Sequence, residues 1–235
     1  MMRLDKFLVE CKLGTRTEVK QKIKSGFIKV NDVVVKKPEI KVDEFEDVIT
    51  VSGKQLVYEK FVYFLFHKPA GCVTAKKDNL HKTVMDYFPS EIAKDCSPVG
   101  RLDLDTEGVL LITNDGELNH HLISPSHHVK KKYYAKLDKP VPADTIDLFH
   151  QGIDIGDDKP TLPAKLEFVN NDSNSTEVYL TIEEGRFHQV KRMFQAVGCK
   201  VIYLKRESMG NLSLGNLAIG EYRKLLPEEV EELRR

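Results

Sequence analysis

The stretch Gly100-Arg101-Leu102-Asp103-Leu104-Asp105-Thr106-Glu107-Gly108 decides the reading of this chain, together with the apolar run Val109 to Ile112 and Asn114-Asp115-Gly116 behind it. Alternation of Leu with Asp predicts a half-buried strand, and Gly108 and Asn114-Asp115-Gly116 predict turns. Asp103 and Asp105 then share one strand face, because side chains two residues apart project the same way. Arg101, always charged, is placed to hold a nearby carboxylate in its ionised form. An ionised aspartate at a rigid strand end has the chemistry of a nucleophile. A strand-edge ion pair is the plain structural alternative.

Working outward, 235 residues accommodate one medium domain and a small one, and a hydrophobic content of 41% supports a packed core. No apolar run approaches the roughly 18 residues of a membrane helix. The first residues carry charge from Arg3 onward, which predicts no secretory signal. Cys11, Cys72, Cys96 and Cys199 are dispersed singles, the pattern of reduced thiols in a cytoplasmic protein and not of a structural zinc site. Net charge is zero but unevenly placed: residues 1–42 carry 11 Lys and Arg against 5 Asp and Glu. A basic module joined to a more acidic remainder suits a polyanionic partner.

In that module, Leu4, Phe7, Leu8 and Cys11 follow the spacing of an amphipathic helix. Thr15-Arg16-Thr17-Glu18 is a capping box that opens a second helix with Val19 and Ile23 on its apolar stripe. Gly26 is placed to end it in the left-handed region. Phe27, Ile28 and Val30 are expected to pair with Val33 to Val35 across Asn31-Asp32, and Val48 to Val51 to form a further strand. Asp43-Glu44-Phe45-Glu46-Asp47 is an acidic patch expected to turn polyanions away. The boundary is set at residues 58 and 59. From there strands are expected at 61–66, 109–113, 133–137, 165–169, 178–182 and 201–204, with helices at 82–87, 117–123, 143–150 and 187–197. A polar hairpin loop is expected at 170–175. Such irregular alternation predicts an α+β fold with a mixed or antiparallel sheet.

Four ordered stretches carry a resemblance: His67-Lys68-Pro69-Ala70-Gly71, the Gly100 to Gly108 segment, Lys131-Lys132-Tyr133, and Glu184-Gly185-Arg186-Phe187-His188-Gln189-Val190-Lys191-Arg192-Met193-Phe194. Together with the tail Gly220-Glu221-Tyr222-Arg223 they are similar to the RsuA-type pseudouridine synthases, over essentially the whole chain. Residues 1–58 resemble the S4-type RNA-binding fold, and 59–235 the catalytic domain. The resemblance implies that Asp103 is the essential aspartate, attacking C1′ or C6 of a uridine. Asp105 is the structural alternative, outside the position that the motif assigns. Lys191 is implied to be the salt-bridge partner of Asp103. Relatives often carry Arg at that position, so Arg192 stays open as the alternative. Tyr133 is implied to stack on the target base and to assist proton transfer at C5, and Lys68-Pro69-Ala70-Gly71 forms a rigid turn beside the cleft.

Arg3, Arg16, Lys20, Lys24, Arg101, Arg186, His188, Gln189 and Arg192 are the expected RNA contacts, mostly to phosphates. On the helix from Phe187 to Val197, Phe187, Val190, Phe194 and Val197 are expected as the apolar stripe, with His188, Lys191, Arg192 and Gln195 on the other side. His120, His121, His127 and His128 lack zinc spacing and a matching carboxylate, so no metal is expected. Isomerising a uridine involves no redox change, so no cofactor is implied either.

The expected substrate is 16S ribosomal RNA, at uridine 516, in a small-subunit assembly intermediate, and the expected enzyme is a monomer with no protein partner. That choice rests on Ser124-Pro125 with His127-His128, and on Gly152-Ile153 ahead of a Lys-Pro-rich segment. A relative acting on 23S RNA and a non-catalytic ribosome-assembly protein are the alternatives. A metal hydrolase built on Asp103 and Asp105 lacks a ligand set.

Overall fold

The computed structural model describes residues 1–234, apart from the side chain of Asn171. The chain folds as two compact units, Met1–Lys60 and Phe61–Arg235.

In the first unit, α1 (Leu4–Glu10) and α2 (Arg16–Lys24) precede β1 (Ile28–Val30), β2 (Val33–Val34) and β3 (Ile49–Val51). The capping box forms: the Thr15 hydroxyl accepts from the Glu18 amide, and the Glu18 carboxylate accepts from the Thr15 amide at 2.7 Å. Gly26 follows α2 at φ +78°, a backbone conformation that suits a residue without Cβ. β1 pairs antiparallel with β2 and β3, and Lys54–Gln55 extends the sheet beyond β3. Leu4, Phe7, Leu8, Val19, Ile23, Ile28, Val42 and Ile49 are fully or almost fully buried and close the core that the helical spacing predicts.

The second unit is built on one mixed sheet. Its strands are β4 (Tyr63–Lys68), β5 (Glu107–Thr113), β6 (Lys131–Leu137), β7 (Lys165–Phe168), β8 (Glu177–Ile182), β9 (Val201–Met209) and β10 (Tyr222–Lys224). The order across the sheet is β7-β8-β6-β9-β5-β4-β10, with Ser97–Pro98 beside β5 and Leu212–Ser213 beside β9. Along that path only β9 and β5 pair parallel, joining Lys205 to Glu107 and Arg206 to Gly108. The helices are α3 (Gly116–Ile123), α4 (Thr145–Gln151), α5 (Gln189–Ala196) and α6 (Pro227–Leu233), with a short helix at Ser90–Asp95. Among the described residues no helix is long and apolar enough to cross a membrane.

β5 explains why the signature segment leads into a continuous apolar run. Leu110 and Ile112 enter one buried cluster, with Phe66, Leu180 and Phe194. Val109 and Leu111 enter another, with Leu65, Leu118 and Met209. A central strand covered on both faces needs apolar side chains in both phases of its pleat.

Three segments differ from expectation in kind or in start, and β9 runs on past Leu204. Residues 101–106 are not strand; β5 begins at Glu107, and the Leu-Asp alternation lies in a turn closed by Thr106 N–H donating to the Asp103 carbonyl at 3.1 Å. The expected helix at 82–87 is a single 3-10 turn, Val84–Tyr87, capped by Asp86 accepting from the Thr83 amide at 2.7 Å. The helix expected from Phe187 starts at Gln189. His188 precedes it in the left-handed conformation, and Phe187, 68% exposed, stacks on the His188 ring instead of joining the apolar stripe.

Candidate active site

The 101–106 turn is held from beneath by a buried lysine. β4 ends on Lys68, whose side chain is wholly buried and whose Nζ donates to the carbonyls of Pro69 at 2.9 Å, Thr106 at 2.8 Å and Leu104 at 3.4 Å. Burial lowers the pKa of this ammonium. The turn is also tied at its front edge. The Thr74 hydroxyl donates to the Leu102 carbonyl at 2.7 Å and accepts from the Leu102 amide, while the Gly71 amide donates to the Leu104 carbonyl at 2.7 Å. With its carbonyls engaged inward, the loop turns the Asp103 carboxylate toward a cleft of about 390 Å³. That volume falls in the range of roughly 300–1,000 Å³ common for small-ligand sites.

The Asp103 carboxylate is 26% exposed and faces two basic groups. His188 Nε2 lies 3.4 Å from Oδ1, and Lys191 Nζ lies 3.3 Å from Oδ2. Lys191 sits closer still to Asp105, at 2.6 Å. Burial opposes both charges of that second pair, but the hydrogen bond and charge of Lys191 hold Asp105 low, and the two carboxylates hold Lys191 high. Lys191 therefore bridges the two aspartates that the turn brings together. Tyr133, 7% exposed on β6, lines the same cleft.

Of the two basic residues left open by the sequence, Lys191 meets Asp103. Arg192 is turned away: its guanidinium donates to the carbonyls of Ile155 and Phe187 and pairs with Asp157. Arg101 lines the cleft but forms no ion pair among the described residues, so the cation opposite Asp103 is Lys191 of α5 and does not come from the signature segment.

Several expected RNA contacts are engaged within the protein. Arg186 pairs with Glu184 and Asp157 and donates to the carbonyls of Lys159 and Pro160. Gln189 is 3% exposed, donating to Glu184 and accepting from the Arg186 amide, so it orients the loop ahead of α5. In the first unit Arg3 makes a two-pronged bond, 3.0 Å on each arm, to the fully buried Asp5, and that pairing lowers the Asp5 pKa. Arg3 thus neutralises an internal charge. Lys20 and Lys24 project from α2 into solvent, one turn apart and without ion pairs among the described residues, and Arg16 is exposed 3.8 Å from Asp5.

Two cleft residues were missed as candidates. Lys131 and Arg206 are buried beside Tyr133 and line the cleft. The strand period that places Tyr133 also places Lys131 on its face, which was a usable signal. The strand expected to end at Leu204 runs on to Met209, so Arg206 stayed outside the pattern.

A family model described as RNA pseudouridylate synthase matches residues 62–196, and one described as S4 domain matches residues 2–49. The chain is 44% identical to an uncharacterized RNA pseudouridine synthase of Bacillus subtilis, covering 99% of this chain and 98% of that one. It is 42% identical to the ribosomal small subunit pseudouridine synthase A of Vibrio cholerae, covering 99% of each. It is 39% identical to the ribosomal large subunit pseudouridine synthase B of Bacillus subtilis, covering 100% and 96%. A solved pseudouridylate synthase crystal structure superposes with a TM-score of 0.69 at 38% identity, covering 99% of this chain and 100% of that one.

Proposed function

This chain belongs to the RNA pseudouridylate synthase family, and on that premise we propose that its substrate is one uridine of ribosomal RNA, with Asp103 as the nucleophile. The observation that carries the reading is the Asp103 carboxylate itself, carried on a turn whose backbone Lys68 anchors and set between His188 and Lys191 at a cleft lined by Tyr133. In the reaction the C1′–N1 bond breaks, the base turns, and C1′ rejoins the base at C5. A target uridine is extruded from its stack at a cost of roughly a few kcal/mol. The face of Tyr133 suits a stacked base, and phosphate contacts offset the extrusion.

Small-subunit RNA is the substrate we favour, at uridine 516 of 16S RNA. The motifs around Ser124-Pro125 and Gly152-Ile153 and the 42% identity to a small-subunit enzyme support it. A large-subunit target is the second reading, on the strength of the 39% relative named for that subunit. Action on ribosomal RNA fits a cytoplasmic protein.

The test is to incubate the full chain with 16S and 23S transcripts and with assembly intermediates, then map pseudouridine at single-nucleotide resolution. One new site in 16S RNA is expected. A site confined to 23S RNA transfers the substrate, and no site in either overturns the reading.

The exposed lysines of α2 give a second expected result. Changing Lys20 and Lys24 together to Gln should weaken RNA binding without altering which uridine is modified. The slope of log affinity against log salt should fall by about 1.4 to 1.8, near 0.7 to 0.9 for each phosphate no longer neutralised. An unchanged slope in a filter-binding titration would remove both residues from the RNA path.

A further inference from the structure

Two cations lie under the cleft without an ion-pair partner among the described residues. Lys131 is 7% exposed and Arg206 only 2%. They stand on the neighbouring antiparallel strands β6 and β9, where Tyr133 and Arg206 are register partners. Lys131 Nζ donates to the Val129 carbonyl at 2.8 Å, and Arg206 Nε to the Val109 carbonyl at 2.7 Å. One terminal nitrogen of the Arg206 guanidinium is buried with no hydrogen-bond partner. Among the described residues neither side chain forms an ion pair, whereas Arg186, Lys191 and Arg192 nearby all do. Burial, with Arg206 adding to it, pushes the Lys131 ammonium down to about 8, against the pull of Glu183 and Glu184. A buried charge is costly unless paired. Two of like sign, facing one cleft, are placed for an anion that arrives from outside.

We propose that Lys131 and Arg206 receive the negative charge that uracil acquires during the isomerisation, donating to its ring carbonyl oxygens. This deepens the functional reading above and rests on it. When C1′–N1 breaks, the bonding pair stays on N1 and spreads to O2 and O4, while C1′ is taken by the Asp103 carboxylate. C5 then bonds to C1′ and displaces the carboxylate. Loss of the C5 proton and uptake of one at N1 restore the neutral base, so atoms and charge balance. Donors fixed in advance where charge develops favour the transition state over the bound substrate. The same pair discriminates between pyrimidines: cytosine presents an amino donor where uracil presents O4. Two cations accept the second and repel the first.

The test uses the full chain and single-turnover rates at saturating ribosomal RNA. K131M should lose about 10²- to 10³-fold in rate, the cost of one such donor. Its RNA affinity should stay within about threefold, because the group acts after binding. K131R keeps the charge and should recover to within about tenfold of the parent rate. K131M should also melt at or above the parent temperature at neutral pH, since it removes an unpaired buried charge. A K131M rate within about threefold of the parent, or a variant that no longer folds, overturns the proposal. The parent protein in the same assay separates the two levels. An inactive parent defeats the functional reading, and an active parent with an equally active K131M defeats this inference alone.

Discussion

Asp103→Asn should reduce pseudouridine formation by roughly 10⁴-fold or more, the scale of loss when a nucleophile is removed, while RNA affinity and melting temperature stay near those of the parent. The substitution is isosteric, so the cleft keeps its shape. What changes is charge: an amide oxygen does not attack carbon as a carboxylate does. Lys191 is not stranded by the change, because Asp105 already holds it at 2.6 Å. The backbone of the loop is fastened through its carbonyls to Lys68 and through Leu102 to Thr74, and neither tie involves the Asp103 side chain. Single-turnover assays with filter binding and thermal melting measure the three quantities. Residual turnover within tenfold of the parent would remove Asp103 from the chemistry.

Gly108→Ala carries the largest expected cost in stability. A Cβ at Gly108 would stand 2.2 Å from the Arg206 carbonyl oxygen and 2.6 Å from its amide nitrogen. Both are backbone atoms of β9 and cannot swing aside as a flexible side chain would. Gly108 also has φ +113°, a conformation that L side chains rarely adopt. Overpacking and backbone strain each cost roughly 1–3 kcal/mol. Their sum, about 4 kcal/mol, should lower the melting temperature of the second unit by roughly 8–16 °C. Activity should fall further than stability does, because the same close approach sets Arg206 beside the strand that continues from the Asp103 turn. Equal melting curves for the variant and the parent would refute this account of the β5–β9 seam.

Local pattern read some of these elements well and others poorly, for a definite reason. The Thr15 capping box, the hairpin about Asn31-Asp32 and the apolar run of β5 are set by neighbours in sequence, and the structure has all three. The signature segment looked like a strand because its Leu and Asp alternate. It is a turn because Lys68 and Thr74, some thirty residues earlier, capture its carbonyls. No periodicity records that capture. The choice between Lys191 and Arg192 depended on partners far off in sequence: Lys191 reaches Asp103 and Asp105 of the turn, and Arg192 is held by the Ile155 carbonyl and Asp157. Arg186 and Gln189 read as RNA contacts by residue type alone, and the acidic partner that claims both, Glu184, lay within the same stretch.

The parallel seam between β5 and β9 also constrains when the second unit becomes a catalyst. Residues 107 and 108 find their partners only at 205 and 206, so this part of the sheet closes after a long intervening segment has emerged. Long-range pairing of this kind forms slowly and late. A ribosome still translating the chain would therefore hold an S4-type module already able to fold, while the carboxylate waits for its neighbouring strand. On the proposed role of Asp103, turnover has to wait until residues 205 and 206 have joined the sheet.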